Sequence, residues 1–276
     1  MKKTMMFLCV GLLFFSTACS RLDMAFKSAD MFLAFRVDDY FDISSQQKKD
    51  LKANFKKDLE RLKKESLPEL SAQLKRVDQD LERNALNEER LTELVKYSMT
   101  TMEEVLSQFS GTTQAFVGSL KPEQFIYFEK ASEKKLAEER ETVRDQGDFL
   151  KKGRKTYARW LEMFFGDLTR DQKALLDQHL MKTTYFYELK IKNKESFLKK
   201  IKAGKNSPEM QKQLVISYYS DKGSQDIPEF SQGQKQFEKD LEIFLSQLIQ
   251  SLSPSQKAKL KANILDKARQ LDRLAS

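Results

Sequence analysis

The stretch Asp167-Leu168-Thr169-Arg170-Asp171-Gln172 decides how this chain folds, because its pattern recurs. The copies are Ile43-Ser44-Ser45-Gln46-Gln47, Leu120-Lys121-Pro122-Glu123-Gln124, Leu168-Thr169-Arg170-Asp171-Gln172 and Leu252-Ser253-Pro254-Ser255-Gln256. Each reads apolar, usually Ser or Thr, two free positions, then Gln. Another apolar residue stands four places past each Gln: Leu51, Phe128, Leu176 and Leu260. This is a helix start. A Thr169 hydroxyl can cap the backbone N–H three residues on, and the Gln172 amide can reach back to the N–H of Thr169. Pro122 and Pro254 fall at the first helical position, where a missing N–H costs nothing.

Composition agrees. The 276 residues include only 9 Gly and 5 Pro but 20 Phe, so long helices have few breakers and much to bury. The expected fold is all-α, an elongated multi-helix bundle of long amphipathic helices. Charged residues make up 33 % of the chain with both signs mixed, which is the composition of solvated helical faces, not of a nucleic-acid footprint.

The N-terminus sets an address. Lys2 and Lys3 precede the short apolar run Met5–Phe15, which is too short to span a bilayer. Ser16-Thr17-Ala18 then precede Cys19. This resembles the lipobox of bacterial lipoproteins, which implies cleavage before Cys19 and lipidation on it. Ser16 departs from the Leu favoured there, and an ordinary secretory signal cut after Ala18 is the alternative. Ser20 after the cysteine implies, by the same resemblance, transfer to the outer membrane. Loss of Lys2 and Lys3 takes the formal charge from +8 to +6. Cys9 leaves with the signal, so the body has no thiol for a disulfide, a metal or a nucleophile.

Residues 1–18 are thus read as signal peptide, 19–42 as lipid anchor and first amphipathic helix, and 43–276 as the helical domain. In the first helix Leu22, Phe26, Leu33 and Val37 recur at helical spacing, with Ala29 between them and Phe32 and Phe35 widening the stripe. Packing on the core is expected for it, with contact to the membrane as the alternative. Helices are expected from Ser44 to Glu65, Pro68 to about Arg83, Asn87 to near Gly111, and beyond Lys121. One uninterrupted run is expected from Thr169 to Ala203, about 50 Å long at about 1.5 Å per residue. Pro208 to Tyr219, Gln234 to Ser251 and Ser253 to about Leu274 follow, with Asp221–Gly233 as a loop. Gln47 and Gln172 are 125 residues apart and Gln124 and Gln256 are 132 apart. That near match raises two related halves, 43–167 and 168–276. One capping solution used four times is the simpler reading.

Asp38-Asp39-Tyr40-Phe41-Asp42-Ile43-Ser44-Ser45-Gln46-Gln47, Leu67-Pro68 and Trp160 followed by Leu168–Gln172 resemble a family of uncharacterised bacterial lipoproteins. The resemblance covers most of the mature chain and implies no activity or catalytic residue. The Leu-Thr-x-x-Gln element is also similar to that of the periplasmic helical chaperones of the Spy and CpxP type, which are much smaller.

His179 is the only histidine, a poor basis for a triad or metal site, and is read as structural or surface. No phosphate loop, zinc-protease helix or nucleophile elbow occurs, so no cofactor or metal is implied. The adjacent pairs Glu138-Glu139 and Asp38-Asp39 diverge on a helix and do not face one another. The aromatic cluster Tyr157, Trp160, Leu161, Phe164 and Phe165 has helical spacing and is read as core. The densest basic region, Lys190 to Lys205, supplies candidate client-binding residues in Lys190, Lys192, Lys194 and Lys199, with Tyr185, Phe186 and Tyr187 just upstream.

The functional expectation is an outer-membrane-anchored periplasmic lipoprotein that is not an enzyme and acts by protein binding, chaperone-like or stress-related. Its partners would be the membrane, through the anchor, and an envelope protein or unfolded clients, with no nucleic acid. The alternatives are a scaffold lipoprotein without chaperone activity and, third, a carboxylate-based hydrolase. A broad basic, apolar groove favours the first, one compact patch the second, and convergent buried carboxylates the third.

Overall fold

A computed structural model describes residues 19–221 and 223–276; of the side chains, those of residues 19–23 and 220 are not among the described. The fold is all-α. The helices are α1 Cys19–Phe41, α2 Ser45–Glu65, α3 Leu67–Glu82, α4 Glu88–Ser107, α5 Ser110–Gly118 and α6 Pro122–Arg144. They continue as α7 Gln146–Phe165, α8 Arg170–Lys182, α9 Thr184–Ala203, α10 Pro208–Ser220, α11 Pro228–Gln250 and α12 Pro254–Ala275. The proposed signal peptide, 1–18, lies outside the described residues.

Each copy of the motif opens a helix: α2, α6, α8 and α12. Ser44, Thr169 and Ser253 cap through their side chains and close a full capping box with the Gln three residues on. Lys121 has no side-chain acceptor, so the N–H of Gln124 turns to the Lys121 carbonyl at 3.0 Å. The apolar residue four before each Gln and the one four after it are buried in all copies.

Two expectations are corrected. The run from Thr169 is not continuous: it breaks at Thr183, between α8 and α9. Thr183 Oγ1 donates to the His179 carbonyl at 2.8 Å and Thr184 Oγ1 to that of Leu180 at 3.1 Å. Hydroxyls returning to carbonyls four residues back bend helices. The loop before α11 ends at Pro228, and Gly233 lies inside the helix. A Cβ at Gly233 would stand 2.4 Å from Leu189 Cδ1, so the glycine marks a close crossing of α11 and α9, not a break.

Most of the packing of α1–α6 is repeated by α7–α12, each partner label raised by six; the close α9–α11 crossing has no α3–α5 counterpart. Helix α1 packs on α2 and α6, as α7 packs on α8 and α12; α2 packs on α3 and α5, as α8 packs on α9 and α11. The third and fourth helices of each set also reach across to the other set. Helix α3 lies along α12 and α4 against α11; reciprocally, α9 lies along α6 and α10 against α5. Each set therefore lends a two-helix arm to the other.

The cores follow this exchange. One joins Phe41, Leu51, Val117 and Phe125 to Phe197, Ile201 and Val215 from the α9–α10 arm. Another joins Phe165, Leu176, Phe244 and Leu260 to Leu74, Val77 and Leu81 from α3. A third places Leu271 of α12 among Phe26, Leu59, Leu62 and Leu67. Full burial of one such side chain is worth about 1.5–3 kcal/mol, so neither set keeps its core without the other's arm.

Candidate functional site

The four motif glutamines meet in two pairs. Gln172 Nε2 donates to Gln256 Oε1 at 3.0 Å, and Gln256 Nε2 donates back to Gln172 Oε1 at 2.9 Å. Gln47 and Gln124 do the same at 2.9 and 3.0 Å. The second amide hydrogen of each Gln goes to the backbone five residues before its partner. Gln172 donates to the Ser251 carbonyl at 3.2 Å and Gln256 to that of Asp167 at 3.0 Å. Gln47 donates to the Ser119 carbonyl at 2.9 Å, and Gln124 to the carbonyls of Asp42 at 3.2 Å and Phe41 at 3.0 Å. Each Oε1 also accepts the N–H of its own cap residue: Ser44, Lys121, Thr169 and Ser253 at 3.0–3.1 Å. Each amide thus has two donors and two acceptor sites filled, which is what a buried amide requires.

Capping was legible in the sequence; the pairing was not. Two signals could have found it. Gln124 is retained beside Lys121, which cannot cap, so the amide serves something besides a capping box. The residue five before each Gln alternates Asp42, Ser119, Asp167, Ser251, dividing the copies into two kinds that pair one with the other.

His179 is buried, stacked on Phe244 at 4.6 Å and flanked by the rings of Tyr157 and Phe237. Its Nε2 has no hydrogen-bond partner. Burial holds its pKa below the usual histidine value, with the Asp240 charge opposing. Asp240 itself is engaged by Lys182 at 2.7 Å and Gln236 at 3.1 Å. A lowered folded pKa means that the unfolded chain takes the proton more readily. The neutral imidazole therefore supports the fold above about pH 6.5, and that support is lost as pH falls below it. The urea midpoint should drop between pH 7.5 and 5.5, and His179→Phe should flatten that slope; an unchanged slope would show that His179 is not the group responsible.

The four candidate lysines do not share a face. Lys192 and Lys199 are exposed on one side of α9. Lys190 and Lys194 turn to the other side. Lys194 pairs with Glu139 of α6, and both side chains are largely buried. Along the same seam Lys202 pairs with Glu133, and Arg140 with Glu195 at 2.7 Å. These pairs line the seam between α9 and α6, and of them only Lys194–Glu139 is largely buried. The aromatic residues upstream are also engaged: Phe186 stacks on Phe237 at 4.4 Å and on Phe230 at 5.5 Å, and the Tyr187 and Tyr157 hydroxyls lie 3.1 Å apart. Burial raises the pKa of both tyrosines, so neither is a ready acid or base. Tyr185 reaches toward Asp240 at 3.5 Å.

A cleft between α1, α6, α9 and α10, lined by Tyr40, Phe128, Lys194 and Tyr218 among others, has a volume of about 40 Å³, room for a few waters. Among the described residues no His, Cys, Asp or Glu cluster could hold a metal, and no helix is long and apolar enough to cross a membrane. The Cys19 side chain lies outside the described ones.

One surface differs from the rest. Helix α1 buries Phe26, Ala29, Ala34 and Tyr40, while Met24, Met31, Phe32 and Phe35 point outward, Phe32 at 64 % exposure and Phe35 at 57 %. Phe32 and Phe35 therefore do not widen the core stripe; they form a second apolar face opposite it.

The chain matches no family model, no curated protein and no solved structure.

Proposed function

We propose that the protein is a lipid-anchored lipoprotein of the bacterial periplasm that works by protein binding, as a rigid scaffold. The observation that carries this reading is the exchange of arms, with a glutamine junction in each set. It makes one stiff body that holds its outer surfaces at fixed distances from an attachment point at Cys19. The motif glutamines are spent inside the fold and offer nothing to a client. The basic region supports a client-binding reading only through Lys192 and Lys199, because Lys194 is committed to Glu139.

Two measurements test the reading. Cross-linked pull-down from envelope membranes with the acylated protein should recover a discrete partner. At low salt, the purified protein should not suppress aggregation of an acidic unfolded client. Suppression that weakens as salt rises, and is lost in Lys192→Gln/Lys199→Gln, would replace the scaffold by the chaperone-like function.

A further inference from the structure

We propose that the outer face of α1 lies on a phospholipid surface, so that the protein is held at the membrane by a helix face as well as by its anchor. Met24, Met31, Phe32 and Phe35 are 49–64 % exposed and fall on one side of the helix. From Met24 to Phe35 the strip runs about 16 Å along the axis. It begins five residues after Cys19, so it starts about 8 Å from the proposed acyl chains.

The charges are arranged for a headgroup layer. Asp30, on the opposite side, is buried against α2 with Lys52 at 3.6 Å and Lys56 at 3.5 Å. Burial pushes its carboxyl up, and a hydrogen bond from the Met31 backbone together with the charges of these two lysines brings it below the usual range. Asp38 accepts the Ile43 N–H at 3.0 Å and pairs with Lys48 at 3.0 Å. Asp39, at the far end of the strip, is paired with Arg36 at 3.1 Å. The acidic side chains of the helix's described part are thus matched by cations, and Lys27 stands exposed at the edge. The Lys48 ammonium lies 5.5 Å from the Phe35 ring centre, which puts a cation at the edge of the strip.

A lipid surface fits better than a second copy of the chain. Four partly exposed side chains offer on the order of 400 Å² or less, about half of what one side of a stable interface contributes. A shallow apolar strip with basic flanks is what an interfacial helix needs.

The proposal rests on acylation at Cys19, and its test reads the two separately. The full chain is purified with its native anchor and placed in phosphatidylethanolamine/phosphatidylglycerol vesicles. The body has no other thiol, so Phe32→Cys can be labelled with an environment-sensitive dye; Ser231→Cys, exposed on α11, is the control. Intact mass of the same samples reports the acyl chains. The dye at position 32 should be quenched by spin-labelled lipid and the control should not. Equal, water-like signals at both positions in an acylated sample would overturn the proposal and leave the anchor standing. A sample beginning at Cys19 without acyl mass would remove the anchor. In that case vesicle partitioning of the unacylated chain decides: Phe32→Ser/Phe35→Ser should weaken it on the order of tenfold, and no change would overturn the proposal. Shielding of the dye without lipid, together with a doubled mass in solution, would assign the face to a second copy and also overturn it.

Discussion

Gln172→Ala should destabilise the protein by about 3–5 kcal/mol, more than any change at the cap residue beside it. Gln172 is fully buried, and its amide serves Gln256, the Ser251 carbonyl and the Thr169 N–H at once. Truncation leaves the Gln256 amide short of one donor and one acceptor, orphans a carbonyl and an N–H, and opens a cavity. An unsatisfied buried polar group alone costs about 1–3 kcal/mol. Thr169→Ala removes one capping bond and should cost about 0.5–2 kcal/mol. This order reverses what capping alone predicts, where the Gln is the lesser partner. Within the motif the cost should fall from Gln172 to Gln124 and Gln256, and be least at Gln47, which is more open to water. At about 2–4 °C per kcal/mol for a chain of this size, Gln172→Ala should lower Tm by about 10 °C. Gln172→Leu/Gln256→Leu should cost less than the sum of its single changes, because neither amide is then left facing an apolar partner. A near-zero effect of Gln172→Ala in denaturant melts would show that the junction is not a source of stability.

Much of the fold was legible because its signals are local. Capping residues, Pro at the first turn and apolar residues at helical spacing mark the starts of α2, α6, α8 and α12, and each operates within about one turn. What was missed depends on contacts distant in sequence. Gln172 and Gln256 are 84 residues apart, and nothing near Gln172 announces an amide partner. The break at Thr183 turns on hydroxyl rotamers that no apolar pattern records. Phe32 and Phe35 read as core in the sequence because apolar residues surround most of α1, and a stripe that wide does not say which side faces protein. The lysines of α9 read as a basic patch because their partners Glu133 and Glu139 sit on α6, out of sight of any local window. The candidate site suffered most: buried and exposed lysines look alike in a sequence.

The exchanged arms make a second large effect accessible, at the seam between α3 and α12. Ser71 and Ala268 are both fully buried there, and Ser71 Oγ donates to the Ala268 carbonyl at 3.1 Å. Lys75 pairs with Asp272 at 2.8 Å, which holds the Asp272 carboxyl below its usual range, and Lys261 pairs with Glu82. Those pairs are partly exposed and contribute little, so the small residues set how closely the helices approach. Counted from their glutamines, the places of Ala268 and Ser71 are taken on the α6–α9 seam by Leu136 and Ser196. The second seam thus accepts a Leu where the first has only a methyl group. Ala268→Leu should cost about 3 kcal/mol, through overpacking and the lost Ser71 bond. The loss should also have a place. Helices α3 and α4 leave as an arm, so amide hydrogens in 67–107 should exchange faster while those in 184–220, on the intact seam, keep their protection. Because each core contains part of the other set, global unfolding should remain one transition, with Trp160 fluorescence and far-UV circular dichroism coincident. Two separated transitions in the wild type would mean that the arms touch their hosts without holding them. Uniform loss of protection in Ala268→Leu would mean that the seam cannot open alone.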